Sequence, residues 1–448
     1  MIDWYNIRIS ILKLILLTIK KVFRKTFKVL AWITGSLLFL LLLIYILIQV
    51  PAVQNFARQK LVSYLSKKTQ SRIEIKKLSL DFPKRIVLEG VYFEDQKKDT
   101  LLYGGNIQVD IALMKLLRSK VEISYIGLTD FNANIYRNGQ DSFFNYQYII
   151  DAFATTGTTA QDSTGGMKIS LDKINLENIR ASFKDDKTGL DFSGRLGKFK
   201  TAFKEFDLDQ MKFSLPGIVL ENVSGHFYQN KTLLETQPMA VVEAESDEPF
   251  DVNISLENIG VKNIVFDYRN DVSVMAAKLN LGELSAKVKT IDLAKLFVQM
   301  GSIKLHNTTA GIYLGKSEQT VQVKEEINKE VTAQANNPWQ FIIDNLDFEN
   351  NNIVFKDDNK PASKGMDFAD LKISSLKFKG NDFIVTPTAY SGNITTAGFN
   401  EQSGFNLLEL KTSFSYSDTG AALKNLYVQT DKTLIRDNIL VSYPSLDS

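Results

Sequence analysis

The side chains best able to do chemistry in this chain are two histidines, His226 and His306, and several repeated carboxylates. Histidine serves as a metal ligand and as a general base near neutral pH, so the pair raises the question of a site. They stand near equivalent places in successive strand-type segments, with no His-x-x-x-His spacing and no His/Asp cluster along the chain. A metal site needs a third ligand at suitable spacing, so both read as structural. The doublets Asp185-Asp186 and Asp357-Asp358 raise a carboxylate dyad or a calcium loop. Each instead follows an apolar strand and precedes a turn, where Asp bonds its own backbone, and no full calcium-loop pattern accompanies them. The tripeptide Leu-Glu-Asn recurs at 176–178, 220–222 and 256–258, with Phe348-Glu349-Asn350 close to it. An active-site acid is not copied into every unit of a repeat, so these read as strand ends. No nucleophile elbow, phosphate-binding loop or dinucleotide fingerprint occurs. With no cysteine, thiol catalysis, thiolate zinc sites and disulfides are excluded. The expectation is no enzyme, no cofactor and no metal.

The elements that carry these residues follow from charge and hydropathy. The net charge of +2 over 448 residues conceals an asymmetry: residues 1–28 hold seven Lys/Arg against Asp3, or +6, leaving −4 for the rest. That near-neutral remainder, with acids and bases interspersed, does not suit nucleic acid. Residues 29–50 contain no charge. As a helix they would extend about 33 Å, enough for a hydrocarbon core of about 30 Å. The apolar run is longer than that of a cleavable signal. The basic flank before it predicts a cytoplasmic N-terminus, with residues 1–28 a basic amphipathic segment and the bulk of the chain outside, periplasmic in a Gram-negative inner membrane. A short amphipathic helix is expected over Pro51–Lys67, carrying Val53, Phe56, Ala57, Leu61, Tyr64 and Leu65 on one face.

Beyond it the apolar period changes from 3.6 to 2, the mark of strands with one dry face. The best candidates for helices among these strands are Met114–Leu117, Tyr146–Phe153 and Ile291–Met300. Segments 196–227 and 281–312 align at an offset of 85, placing Leu196-Gly197 on Leu281-Gly282 and Asn222 on Asn307. The expected organisation is a β unit over 51–153, a flexible linker over 154–167, and β repeats over 168–250, 251–337 (with a polar insertion near 316–337) and 338–448. Stacked repeats make an elongated, curved antiparallel sheet. Its candidate apolar lining comprises Leu78, Leu80, Phe82, Ile107, Val109, Ile111, Ile169, Leu171, Phe199, Phe203, Val252, Ile254, Leu256, Leu279, Leu281, Leu284, Phe341, Ile343, Leu371 and Ile373. Alternation leaves two forms open: a sandwich core closed by a second sheet, or an open half-pipe whose inner face binds acyl chains.

Residues 50–153 resemble the N-terminal region of AsmA-like proteins of the TamB branch. The resemblance rests on Ile73-Glu74-Ile75, Leu88-Glu89-Gly90-Val91, Glu94-Asp95 with Asp99-Thr100-Leu101-Leu102, and Phe144-Asn145-Tyr146. It implies a protein anchored in the inner membrane, with a groove-like sheet conducting phospholipids toward the outer membrane, and a BamA-like barrel as partner. The family's C-terminal barrel-binding domain is not recognisable in the sequence, which leaves that partner less supported than the membrane and the lipid.

Overall fold

From Leu30 the chain is helical. Helix α1 (Leu30–Gln49) has a mean hydropathy of 2.5 and is long and apolar enough to span a membrane. Its large side chains face outward, with Trp32 81% exposed, as an unpartnered spanning helix requires. The structure, a computed structural model, describes residues 27–28, 30–40, 42–81, 84–111, 122–154, 168–208, 210–231, 252–316 and 339–442. Pro51 then opens α2 (Pro51–Thr69) at a position where its missing N–H costs nothing. The expected apolar face is only partly the one used. Val53, Phe56 and Tyr64 are exposed, while Gln54, Ala57, Arg58, Leu61, Val62 and Leu65 form the half-buried stripe. Arg58 Nη1 donates to the Ile75 carbonyl at 2.8 Å, so α2 covers the first strand of the sheet.

That strand, β1 (Ile73–Asp81), is followed by β2 (Arg85–Glu94), β3 (Thr100–Ile111) and β4 (Glu122–Arg137), then by helix α3 (Gln147–Phe153). A second group comprises β5 (Lys168–Asp185), β6 (Leu190–Ala202), β7 (Glu205–Asp207), β8 (Lys212–Leu215) and β9 (Gly217–Gln229). A third comprises β10 (Asn253–Leu256), β11 (Asn258–Asn270), β12 (Met275–Asp292), β13 (Phe297–His306) and β14 (Thr309–Leu314). The last contains β15 (Gln340–Asp357), β16 (Asp370–Val385), β17 (Ala389–Glu401), β18 (Asn406–Ser417), β19 (Gly420–Thr430) and β20 (Leu434–Ser442). All but β7, β8 and β10 join one sheet of 17 strands, in which strands pair in chain order except that β13 and β14 do not pair with each other. β13 and β14 share one position, between β12 and β15.

The sheet is mixed, where a purely antiparallel one was expected. β4 with β5, β9 with β11, and β13/β14 with β15 are parallel pairs. At each of these three places the chain crosses back to the end of the sheet where the preceding strand began, through a connection too long for a hairpin, and the next strand then runs parallel to its neighbour. Those connections span residues 138–167, 230–257 and 315–339. The expected linker, the acidic stretch 243–249, most of the polar insertion and the proposed helix Met114–Leu117 lie outside the described residues.

One residue adopts a left-handed conformation near the middle of β2, β4, β5, β9, β11 and β15 and between β13 and β14: Gly90, Asp130, Asn178, Asn222, Asn263, Asn350 and Asn307, with φ of 53° to 61°. They form a transverse line, because the flanking registers set Asn178 opposite Gly197, Gly197 opposite Asn222, and Asn263 opposite Gly282. Asn reaches this region at low cost by local hydrogen bonding. At each parallel pair two such residues meet: Asn178 donates to Asp130, Asn263 Nδ2 to Asn222 Oδ1 at 3.0 Å, and Asn350 Nδ2 to Asn307 Oδ1 at 2.7 Å. At the antiparallel pairs the kink faces glycine, since a Cβ on Gly197 would stand 2.7 Å from Asn222 Cβ. Leu-Gly and Glu-Asn repeat for this reason. Asn178, Asn222 and Asn350 are mid-strand kinks, contrary to their reading as strand ends, and only Asn258 begins a strand.

Two further elements can be compared with expectation. The helix at Tyr146–Phe153 is present as α3. Ile291–Met300 is not a helix: it contains the end of β12, a turn in which Asp292 Oδ1 accepts the Lys295 N–H at 3.0 Å, and the start of β13. Apolar residues on either side of a tight turn imitate helical spacing. The aspartate doublets do close turns. Asp185 Oδ1 accepts from Lys187 N–H at 3.1 Å and Asp357 Oδ1 from Asn359 N–H at 3.2 Å, as Asp95 does from Lys97 at 2.9 Å.

Candidate functional site

Residues in register on neighbouring strands share a face, so the pairings define rows running across the whole sheet. One row begins Leu78, Leu88, Ile107, Leu128, Leu176, Phe199, Leu220 and Val261. It continues through Leu284, Leu305, Phe348, Phe378, Ala397, Leu410, Val428 and Ile435. Sixteen strand positions supply sixteen apolar side chains without interruption, over about 70 Å at ~4.8 Å per strand. Beside it run Leu80, Ile86, Val109, Ile126 and Ile174, and across the kink line Ile73, Phe93, Leu102 and Ala133. The kink is what aligns them: apolar positions lie three apart where it falls, as in Leu220 and Val223 or Val261 and Ile264, and two apart elsewhere.

Among the described residues no second sheet covers this face. Broad packing between strands that are not sheet neighbours is confined to the small sheet, in which β10 pairs in parallel with β8 and β8 antiparallel with β7, and which touches β5 and β12. In a closed sandwich the central row would be fully buried. Here Leu78 and Ala397 are buried, Ile435 is 44% exposed, and the others are half-buried. Partial cover comes from neighbours in the row, such as the Phe348 and Phe378 rings with centroids 5.9 Å apart.

The described residues among those singled out from sequence divide into four sets. Leu78, Ile107, Phe199 and Leu284 belong to the central row. Leu80, Val109, Leu279, Leu281 and Ile373 lie in rows beside it, with Leu371 opposite Phe355 one row further. Ile111, Phe341 and Ile343 sit toward the strand ends, paired with Ile123, Val385 and Phe383, and Leu171 is buried near the start of β5. Phe203, Val252, Ile254 and Leu256 do not join the face. Phe203 packs edge-on against Phe206, which meets Phe213 of β8, while Ile254 and Leu256 pair with Phe213 and Leu215 and Val252 immediately precedes them. Their strand is too short to enter the main sheet. Phe82 and the side chain of Ile169 lie outside the described residues. Most of the central row was missed because a strict two-residue period fails at each kink. Its signal was present in the recurring Leu-Glu-Asn, whose Leu176 and Leu220 are row members.

The opposite face is polar. Lys77, Glu89, Asn106, Thr129, Glu177, Lys198, Glu221, Lys262, Glu283, His306 and Glu349 form a row of largely alternating charge. Ion pairs cross it at Lys77–Glu89 (2.8 Å), Lys198–Glu221 (2.8 Å) and Lys262–Glu283 (3.2 Å). Exposed pairs of this kind contribute little stability each, but they keep this face wetted and so define which side is dry. His226 is exposed, with Nδ1 3.0 Å from Ser193 Oγ.

At the end of the first parallel pair, Arg137 Nε donates to Asp185 Oδ1 at 2.9 Å. Burial pushes the Asp185 carboxyl up, but the guanidinium, the Thr188 hydroxyl and the Lys187 N–H outweigh it and hold it at about 2. A depressed carboxyl contributes fully above its unfolded value of about 3.9, and the contribution is lost as pH falls through about 2. Arg137→Met is therefore expected to destabilise the chain by about 2–4 kcal/mol at pH 7, measured by denaturant unfolding. The gap from the parent should narrow between pH 4 and 2, and a gap independent of pH contradicts the assignment.

Comparison with known proteins adds no family to this geometry: no family model matches the chain, and a search of curated proteins finds no significant match.

Proposed function

We propose that this chain is a membrane-anchored bridge that shields phospholipid acyl chains on the apolar face of its sheet during transfer between the inner and outer membranes. The observation that carries the reading is the unbroken apolar row on a face over which no second described sheet extends, α2 packing only at β1 and the small sheet only at β5 and β12. An acyl chain in water costs about 0.8 kcal/mol for each exposed methylene, and a continuous dry strip removes that cost along its length without covalent chemistry. Helix α1 supports an anchor at one end, and the basic residues before it favour a cytoplasmic N-terminus with the sheet in the periplasm. The resemblance of residues 50–153 to AsmA-like proteins of the TamB branch points the same way. A photo-crosslinking amino acid at Leu284, in the full chain expressed in a Gram-negative membrane, is expected to capture phospholipid, and one at Val219 on the polar face is not. Equal capture at both positions, or none at either, overturns the reading.

One observation favours a second reading. Every residue of β20 is exposed, and among the described strands only β19 pairs with it. A strand with one described partner and with Leu434, Ile435 and Ile439 exposed is suited to strand addition. A factor assisting outer-membrane protein assembly through a BamA-like barrel would use such a strand. Loss of barrel association on placing Pro at Ile439, with lipid capture intact, would select that reading.

A further inference from the structure

We propose that His306, Asp347 and Glu349 bind a divalent transition-metal ion of the zinc class on the polar face of the sheet. The parallel pairing of β13 with β15 sets His306 opposite Glu349, and Asp347 lies two residues back on the same face of β15. This brings together groups 41 and 43 residues apart in the chain, which no spacing rule applied to the sequence could detect. One donor atom from each lies within 4.8 Å of the other two.

One atom of the cluster lacks a partner. His306 Nε2 is shielded from solvent and makes no hydrogen bond, and the equally shielded Asp347 Oδ1 is met only by the Lys379 ammonium at 3.3 Å. The two atoms face each other at 3.7 Å, too long for a hydrogen bond. A shielded polar atom without a partner is destabilising, and here it faces a carboxylate oxygen. An ion bonded to imidazole nitrogen and carboxylate oxygen at about 2.0–2.2 Å would satisfy both after a small inward movement. Glu349, whose side chain is 62% exposed, is free to close as the third ligand, and water would complete four-coordination. One imidazole with two carboxylates suits zinc and its neighbours, whereas calcium and magnesium prefer oxygen alone.

A cation already leans on the cluster. Lys379 Nζ lies 3.3 Å from Asp347 Oδ1 and 3.7 Å from Glu349 Oε2. The position therefore favours positive charge, and the lysine, about half exposed on a flexible stem, competes with an incoming ion. The other acid beside His306 is Glu283, engaged by Lys262 at 3.2 Å.

The competition supplies the test. The full chain, purified in detergent and stripped with a chelator, is titrated with Zn2+ by calorimetry and with Co2+ by visible absorption. The expected result is one saturable ion per chain near pH 7.5. His306→Ala and Asp347→Asn should each weaken binding at least tenfold, His226→Ala should leave it unchanged, and Lys379→Met should tighten it severalfold. Lys379 is exposed, so its replacement leaves the fold intact, and circular dichroism checks the other variants. Absence of saturable binding in both the parent and Lys379→Met overturns the proposal, as does binding indifferent to His306→Ala. A purely structural cluster predicts no gain from removing the lysine.

Discussion

Lysine in place of Leu284 is expected to abolish lipid capture and transfer while leaving the sheet folded. Leu284 stands in mid-row, between Val261 and Leu305, and is half-buried, so a longer side chain can reach solvent without unfolding its strand. Leu281 is only 8% exposed, and a charge there would confound transport with folding. An acyl chain passing Leu284→Lys would lie against an ammonium with no carboxylate on the dry face beside it. Desolvating that charge costs several kcal/mol, against about 0.8 kcal/mol recovered for each methylene shielded. The balance therefore turns against occupancy at that point, and a single-file strip fails at its worst position. The control is Val219→Lys, on the opposite face and 36% exposed, which should leave transfer unchanged. Transfer measured between donor and acceptor vesicles carrying the reconstituted full chain distinguishes the two. Undiminished transfer by Leu284→Lys, with the variant shown to be folded, would falsify the strip as the route.

Gly282→Val is expected to damage the fold itself. A Cβ at Gly282 would stand 2.7 Å from the Asn307 carbonyl oxygen and 2.8 Å from Asn307 Cβ. These are backbone and near-backbone atoms that cannot swing aside. Relief would require Asn307 to leave its left-handed conformation, and the hydrogen bond from Asn350 to Asn307 would go with it. The line of kinks would be interrupted between β12 and β15, and the apolar positions beyond it would lose their phase. A loss of about 2–3 kcal/mol is expected from overpacking of this kind, with a lower unfolding midpoint. Gly260→Ala is the contrast, since its nearest contact would be at 3.8 Å, and it should be nearly neutral. Asn307→Gly should be better tolerated than Asn307→Ala, because alanine carries the left-handed penalty of about 1–2 kcal/mol and glycine does not. If valine at 282 proves as harmless as alanine at 260, the kink line is not what holds the register.

Much of this architecture was legible in the chain. Leu30–Gln49 makes an outward-facing helix because it carries no charge and a helix satisfies its backbone polar groups internally. Asp185 and Asp357 close turns because their carboxylates bond the backbone two residues on. Alternation at Leu78-Ser79-Leu80 and Ile107-Gln108-Val109 placed the correct side chains on the dry face. Alternation failed at Ile254 and Leu256, which look the same locally but belong to a strand of four residues in the small sheet.

Local sequence thus determined the apolar helix, the strands, the turns and the 85-residue recurrence, since each follows from hydropathy period and backbone chemistry within a few residues. Tertiary pairing decided the rest. Whether Asn222 ends a strand or kinks its middle depends on Gly197 and Asn263 on either side, and those neighbours arrive only through sheet register. The meeting of His306 with Asp347 and Glu349 likewise depends on a parallel pair that a long return connection brings together. That no second sheet covers the apolar face among the described residues is a property of what packs upon it, and no alternation within a strand encodes that.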